Sequence, residues 1–419
     1  MTDYNTRKYD IVIFGATGFT GALTAEYLAE IKDKDLSWAI SGRTLSKLEK
    51  TRERLVKIDP SLKDLDLLIA DTSNPDSLDE VLSQTRVVIT TVGPYTKYGT
   101  PLVEACLRQR THYVDLTGEY GWTRRIIDDH HKEAQEKKVL IVPSCGFDSV
   151  PSDLGVYMVA QHMRNKHNLD LGYVKMSVTD ADGGVSGGTV QSLLEVFTDP
   201  KLTRKEHMDP YLLSTRRGVD KFRWPTFKYD RDFSSKWQVM FIMAVVNERV
   251  VRRSWSIWSE RGQGYGNMFS YEEYMSFLPV VASFIYHISL YTFVPFLTCM
   301  FKLFPSSTEK FKSIMPGSGF GPDEKKRSKG RFTMEFIATA ETEPYDEPRR
   351  VRGIVKGFRD PGYGDTCRMI CESALCIAKS LKDLPGKDGG VLTPSTAFGQ
   401  VLIDRLTRNK EMIFKVEDI

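Results

Sequence analysis

Cysteine is scarce, neither sign of charge dominates, and no internal repeat or low-complexity segment interrupts the chain. The six cysteines, at 106, 145, 299, 367, 371 and 376, are too few and too scattered for a disulfide framework, and they fit a reducing compartment. Lys and Arg number 58 against 55 Asp and Glu, a formal net charge of +3 over 419 residues. That balance offers no broad basic field, so no nucleic acid partner is expected. The opening "MTDYNTRKYD" is polar and runs straight into a strand, so neither a secretory signal nor a transit peptide is expected there. With 41% hydrophobic and 27% charged residues the chain reads as globular, long enough for two or three domains and a large core.

What is present first is alternation. Strand-like runs at Ile11–Phe14, Trp38–Ser41, Leu65–Ala70, Val87–Val92, Tyr113–Leu116 and Val139–Val142 are separated by helical patterns at Thr20–Ile31, Leu45–Lys57, Pro75–Gln84, Pro101–Arg110 and Trp122–Lys137. Pro101 fits a first helical turn, where its missing N–H costs nothing. Strands alternating with helices mean βαβ units, hence an α/β fold with a doubly wound parallel sheet of the Rossmann type.

The first βα junction reads "IVIFGATGFTGALTAEYL". Gly15 ends the strand and permits a tight turn. Gly18 leaves room for a diphosphate to approach backbone N–H groups, and Gly21 lets the helix lie close to the strand. With Ala16, Thr17 and Phe19 between them, these residues predict a dinucleotide site; a purely structural turn is the competing reading. The end of the second strand selects the nucleotide. An NAD site carries Asp or Glu there, but no carboxylate occurs between Leu36 and Leu48. Ser41, Gly42 and Arg43 stand in that place, with Thr44 and Lys47 nearby. A guanidinium takes a 2′-phosphate that a carboxylate would repel, so NADP(H) is the predicted cofactor. The alternative for Arg43 is a solvated helix-start residue. Asp71, closing the third strand, is read either beside the adenine or as a helix-start residue. Strand four ends in "TTVGPYTKYG", at the position where doubly wound sheets bind ligands. Gly93 would allow backbone close to the nicotinamide, Pro94 fixes the turn, and Tyr95 and Tyr98 follow. Both tyrosines are equally read as loop aromatics covering the sheet end.

The segments "GPYTKYGTPLVEACLRQRTHYVDLTGE" (93–119), "VPSCGFDSVPSDLG" (142–155), "PGSGFGPDEKKRSKGRF" (316–332) and "GGVLTPSTAFGQVLIDRL" (389–406) together resemble the saccharopine dehydrogenase-like oxidoreductases, including the trans-acting enoyl reductases of bacterial lipid synthesis. The resemblance covers nearly the whole chain. It implies a Rossmann domain, a central α/β domain and a C-terminal segment returning to the first domain. On this sequence the boundaries are drawn at 1–152, at 153–360 for an α+β central domain that carries an apolar segment (274–304), and at 361–419. It also implies a nucleotide-dependent reductase of lipid or acyl substrates.

Hydride chemistry belongs to the nicotinamide, and the protein must position substrate and move a proton. Candidate proton donors at the strand ends are Tyr95, Tyr98, Asp115, Glu119, Asp148 and Ser149. Tyr98 is favoured as donor, with Asp148 or Ser149 orienting substrate. In the same stretch Ser152 is expected to cap a helix starting near Asp153. Cys145 is read as a packed thiol rather than a nucleophile. Cys367, Cys371 and Cys376 lack a C-x-x-C pair or nearby histidine, so no metal is predicted. His130 and His131 are expected to be solvated. "DEKKRSKGR" (323–331) is read as an exposed loop, with contact to anionic lipid as the lesser alternative.

From about residue 151 the simple alternation ends. "YVKMSVTDADGGVSGGTVQSLLEVF" (173–197) reads as a strand, a glycine-rich turn and a helix beginning near Thr189. "RFTMEFIATAETE" and "RRVRGIVKGFRD" alternate like an antiparallel pair turned by "PYDEP". "GYGDTCRMICESALCIAKSL" then reads as a helix returning to the nucleotide domain. Tyr274–Phe301 contains no charged residue. Three readings stand: a membrane-embedded or monolayer-inserted hairpin, a dimer or substrate-tunnel helix, and a core helix. The functional expectation is an NADPH-dependent reductase of a lipid at a membrane or lipid-droplet surface, with mitochondrion or cytosol as alternative locations and a homodimer among the partners considered. A soluble amino-acid dehydrogenase and a non-catalytic nucleotide-binding scaffold are the competing functions.

Overall fold

Continuous apolar runs put the first strands where both faces are covered. The computed structural model of the chain describes residues 6–183, 199, 201–234, 236–276, 278–303, 324, 329–342 and 347–419. Strands β1 (Tyr9–Phe14), β2 (Trp38–Gly42), β3 (Leu67–Ile69), β4 (Thr85–Thr90), β5 (His112–Asp115) and β6 (Leu140–Val142) are joined in parallel through helices α1 (Phe19–Ile31), α2 (Leu45–Ile58), α3 (Pro75–Leu82), α4 (Tyr95–Gln109) and α5 (Tyr120–Glu136). Ile11, Val12, Ile13, Val87, Val88 and Ile89 have no solvent exposure, as a sheet covered on both faces requires. Chain order reverses between β1 and β4, which lie side by side. The α/β reading with a doubly wound parallel sheet is therefore correct.

Helix α4 starts six residues before Pro101, so that proline lies inside the helix and not in its first turn. The early start depends on a cap from Glu119, described below, which local sequence does not reveal. Helix α6 (Val150–His167) leads into a second, mixed sheet of β7 (Leu171–Asp182), β8 (Phe227–Asp230), β9 (Lys236–Met240), β10 (Ser270–Met275), β11 (Arg331–Ala340) and β12 (Arg350–Gly357), with β14 (Met412–Asp418) at its edge. β11 and β12 form the expected antiparallel pair, and β7 lies on the other side of β11. The proposed turn at 344–348 and the helix near Thr189 lie outside the described residues in whole or in part, as does most of 316–332.

Helix α7 (Ala244–Glu260) packs against α6 and β10. Its Arg252 is buried and ion-paired with buried Asp220 at 2.7 Å. The apolar run from Tyr274 divides: its first residues finish β10, and the rest forms α8 (Val280–Leu303) lying on β8 and β9. Among the described residues no helix is long and apolar enough to cross a membrane, and the run forms one helix where a hairpin was among the readings. After α9 (Thr366–Ser380) the two-residue strand β13 (Gly390–Val391) adds to β6 as the edge of the first sheet, and α10 (Pro394–Thr407) leads to β14. His131 is not solvated: its Nδ1 accepts from the Val391 N–H at 3.0 Å, and burial lowers its pKa to about 4. The partner lies 260 residues away, beyond any local pattern.

Candidate active site

A cleft of about 420 Å³ opens at the carboxyl ends of β1, β2, β4, β5 and β6. The three glycines of the first turn have separable roles. Gly15 has φ +88°, and a Cβ on it would meet Val92 Cγ2 at 2.5 Å. A Cβ on Gly21 would meet the Gly15 carbonyl oxygen at 2.2 Å, so α1 can begin this close only with glycine there. A Cβ on Gly18 would lie 3.4 Å from that oxygen, an ordinary contact, but it would stand in the cleft that Gly18 lines. No side chain caps α1 and no acid occupies its first turn. The positive end of the helix therefore faces the cleft without a counter-charge, which suits a diphosphate. Thr17 and Phe19 line the cleft, whereas Ala16 is buried behind it, its carbonyl 3.4 Å from Thr51 Oγ1.

Arg43 and Gly42 line the same cleft. Arg43 is exposed and makes no hydrogen bond or ion pair with a described residue, leaving its guanidinium available. Two neighbours do not join it. Ser41 is fully buried; its carbonyl accepts from the Gly15 and Ala16 N–H groups, so it holds the turn rather than the ligand. Asp71 accepts from the Ser73 N–H and hydroxyl, both at 2.8 Å, which holds its carboxyl below the usual range. It shapes the loop before α3, while Asn74 caps that helix, and the cleft is lined instead by its neighbours Ala70 and Thr72.

On the opposite wall stand Gly93, Pro94, Tyr95 and Tyr98. The Tyr95 phenol is committed: it donates to the Thr90 carbonyl at 3.3 Å and accepts from the Leu116 N–H at 3.2 Å. Its ring packs on Trp122. Glu119, 2% exposed, accepts from the Tyr95 and Thr96 N–H groups, both at 2.8 Å, and so caps α4. The two helix ends at the cleft are thus unequal: α4 already carries a carboxylate and α1 does not. Asp115 is buried, accepts from Tyr113, Thr117 and Ser144, and is pushed by burial to about 7. It organises the loops after β5 and β6, and the cleft is lined beside it by Thr117 and Ser144.

Two groups on the cleft wall that could donate or orient a proton, a phenol and a carboxyl, have no hydrogen-bond partner among the described residues. The Tyr98 hydroxyl is one; its ring lies under the Lys97 ammonium at 5.0 Å. The Asp148 carboxyl is the other, raised to about 6 by burial with no neighbouring charge contributing. Ser149, paired with Asp148 on sequence grounds, does not reach the cleft: it is fully buried, with Oγ 3.1 Å from Asn247 Oδ1. Helix α6 begins at Val150, so Ser152 lies inside it rather than capping it. Cys145 is buried with its thiol 3.3 Å from the Val142 carbonyl, a packed role. Cys367 and Cys371 face the α1 backbone at Thr20 and Thr24, again as packing.

Sequence reading missed one wall. Gly362, Tyr363 and Thr366, from the segment before α9, complete the cleft. The Phe19 and Tyr363 rings meet edge to face at 4.9 Å, and Thr366 Oγ1 accepts from the Phe147 N–H at 3.1 Å. The glycines of "DPGYGDT" were the available signal.

A sequence profile for the saccharopine dehydrogenase NADP binding domain matches residues 11–142. A Mycobacterium tuberculosis protein assigned to the trans-acting enoyl reductases is 36% identical over 96% of each chain. A trans-acting enoyl reductase of Mycobacterium leprae is 34% identical, also over 96% of each chain. Among solved structures, the apo saccharopine dehydrogenase (L-Glu forming) of Saccharomyces cerevisiae superposes with a TM-score of 0.57 at 11% identity, over 98% of this chain and 99% of that one. This last likeness concerns the fold alone.

Proposed function

The chain belongs to the saccharopine dehydrogenase-like family of NADP-dependent oxidoreductases, and within it we propose an enoyl reductase acting on an acyl, lipid-like substrate. One observation carries the reading. Among the described residues lining the cleft, Arg43 is the one cation, and Tyr98 and Asp148 are polar groups without a protein partner. A dicarboxylic amino acid would need further cations beside the nicotinamide position, and Arg43 is taken by the coenzyme phosphate in this reading. An acyl chain needs only one oriented carbonyl and one proton. The Mycobacterium tuberculosis and Mycobacterium leprae relatives described above are named as trans-acting enoyl reductases.

NADPH, when bound, supplies the hydride, which goes to the β-carbon of the double bond. The open end of α1 would hold the diphosphate, with Gly15 and Gly18 leaving room for it, and Arg43 would take the 2′-phosphate. Asp148, protonated, would donate a hydrogen bond to the carbonyl oxygen on which negative charge develops. Tyr98 would deliver the proton to the α-carbon. NADPH oxidation should therefore be stimulated by a 2-enoyl thioester and not by a dicarboxylic amino acid or its imine. The reverse preference would overturn the reading.

The surface at which this takes place is part of the same proposal. Val281, Phe284, Ile285 and Ile288 repeat at helical spacing on α8 and are exposed, Val281 at 68% and Ile285 at 62%. Trp224 stacks on Tyr291 at the side of this stripe, and Trp237 and Tyr229 lie on the strands beneath. Aliphatic side chains flanked by Trp and Tyr suit a membrane or lipid-droplet surface. Flotation with phospholipid-coated droplets should be lost in V281D/I285D; retained flotation would remove this part and leave the reductase reading untouched.

A further inference from the structure

Away from the cleft, α6 and the terminal strand bring three metal-ligating side chains to one point. His162 and His167 sit in the last turns of α6, and Asp418 ends β14, which packs across that helix. His162 Nε2 lies 3.1 Å and His167 Nε2 2.9 Å from the same oxygen, Asp418 Oδ1. One donor atom from each residue lies within 4.8 Å of the other two. The two rings are 5.9 Å apart and inclined at 58°, so their nitrogens converge instead of stacking. His167 and His162 are only partly exposed, with side-chain exposures of 13% and 22%.

We propose that His162, His167 and Asp418 form a zinc-binding site that fastens the C-terminal strand to α6. In the metal-free arrangement a carboxylate oxygen can only accept, so both imidazoles must donate through Nε2–H to one atom. A tetrahedral zinc with bonds of about 2.0–2.1 Å needs its donor atoms roughly 3.3–3.4 Å apart. The observed separations from Oδ1 therefore open by only a few tenths of an ångström to admit the ion. Each ring keeps its proton on Nδ1 and turns its Nε2 lone pair to the metal, and water fills the fourth position. Two imidazoles and one carboxylate suit zinc ahead of magnesium or calcium, which favour oxygen.

Lys166 decides how tight the site is. Its ammonium lies 2.7 Å from the other carboxylate oxygen, Oδ2. It leaves Oδ1 to the metal and orients the carboxylate, as partners of metal ligands do. Its positive charge also opposes the cation, and its side chain is 55% exposed and free to swing away.

The test is equilibrium dialysis of the untagged full-length protein, stripped with chelator, against zinc chloride, with thermal unfolding in parallel. The expected result is one zinc per chain at this site with a raised unfolding temperature. H162Q/H167Q should lower the affinity by at least about 100-fold, more than loss of a mere partner to a ligand. K166A should tighten zinc binding while leaving the fold in place, an effect a purely hydrogen-bonded cluster would not give. Zinc retained by H162Q/H167Q would locate it elsewhere, for instance at exposed Cys299, and overturn the proposal, as would failure to bind zinc at all.

Discussion

Glu119 and Tyr95 are joined by a hydrogen bond from the Tyr95 N–H to Glu119 Oε1 at 2.8 Å, and Oε2 takes the next N–H, that of Thr96, at the same distance. A buried carboxylate thus satisfies the end of α4 and cancels its partial positive charge. Of the two helix ends that meet the cleft, the anion site left open is that of α1. E119A strands two amide groups in the interior and should destabilise the protein by about 1–3 kcal/mol. It should leave the preference for NADPH over NADH unchanged, since the cap does not touch the 2′-phosphate. Urea unfolding and coenzyme titration of the same sample read both effects.

Gly18 and Gly21 belong to one motif but should fail differently. G21A forces a Cβ against the Gly15 carbonyl, and overpacking of this kind costs about 1–3 kcal/mol or more, so lowered stability is expected. G18A meets nothing closer than 3.4 Å and keeps an allowed backbone, so its unfolding temperature should stay near wild type. Its methyl group instead obstructs the diphosphate, and NADPH affinity should drop by about tenfold, roughly 1.4 kcal/mol. Unfolding and binding measured on both variants separate the two roles.

Folding raises the Asp148 carboxyl from an ordinary 3.8 to about 6. The stability associated with its protonated form is complete below about pH 4 and is lost as pH rises through 6. D148N cannot ionise, so above pH 6 it should be more stable than wild type, by at most about 3 kcal/mol, with the difference vanishing towards pH 4. In catalysis the pH direction is the same but the substitution acts the other way. If the protonated carboxyl is the working form, wild-type kcat/KM falls above about pH 6, and D148N is slower and flat across that range. A stable variant with an unchanged pH profile would remove Asp148 from the mechanism.

Tyr98 supplies the proton in the proposed step. Y98F should retain NADPH affinity and lose about 100-fold or more in kcat with an enoyl thioester. Stopped-flow measurement of a single turnover would show whether the loss lies in the chemical step.

The parallel sheet and its first turn were legible because both rest on short-range signals: apolar runs of strand length, helical spacing between them, and glycines where a Cβ would clash. The place of Arg43 at the cleft was legible because it directly follows the end of β2, a local sign. Ser41 was misplaced because its neighbours Gly42 and Arg43 line the cleft while its own side chain is turned into the sheet packing. Ser149 was misplaced because its partner Asn247 lies 98 positions along the chain. The start of α4 and the state of His131 depend likewise on Glu119 and Val391. The wall built by Gly362, Tyr363 and Thr366 arrives from the far end of the sequence, where a glycine cluster gives no hint of which cleft it will close. In Tyr274–Phe301 the lack of charge was plain, but its division between a strand end and a helix laid on β8 and β9 was set by sheet pairing.

Coenzyme choice at Arg43 remains the deciding measurement. Titrating NADPH and NADH into wild type and R43A should give a clear wild-type preference for NADPH. In R43A the NADPH affinity should fall by about 10–100-fold, the worth of charge-assisted hydrogen bonds of roughly 1.5–3 kcal/mol, while NADH binding stays where it was. Equal wild-type affinity for the two coenzymes, or a loss in R43A shared equally between them, would contradict the assignment of this cleft as an NADP site read by Arg43.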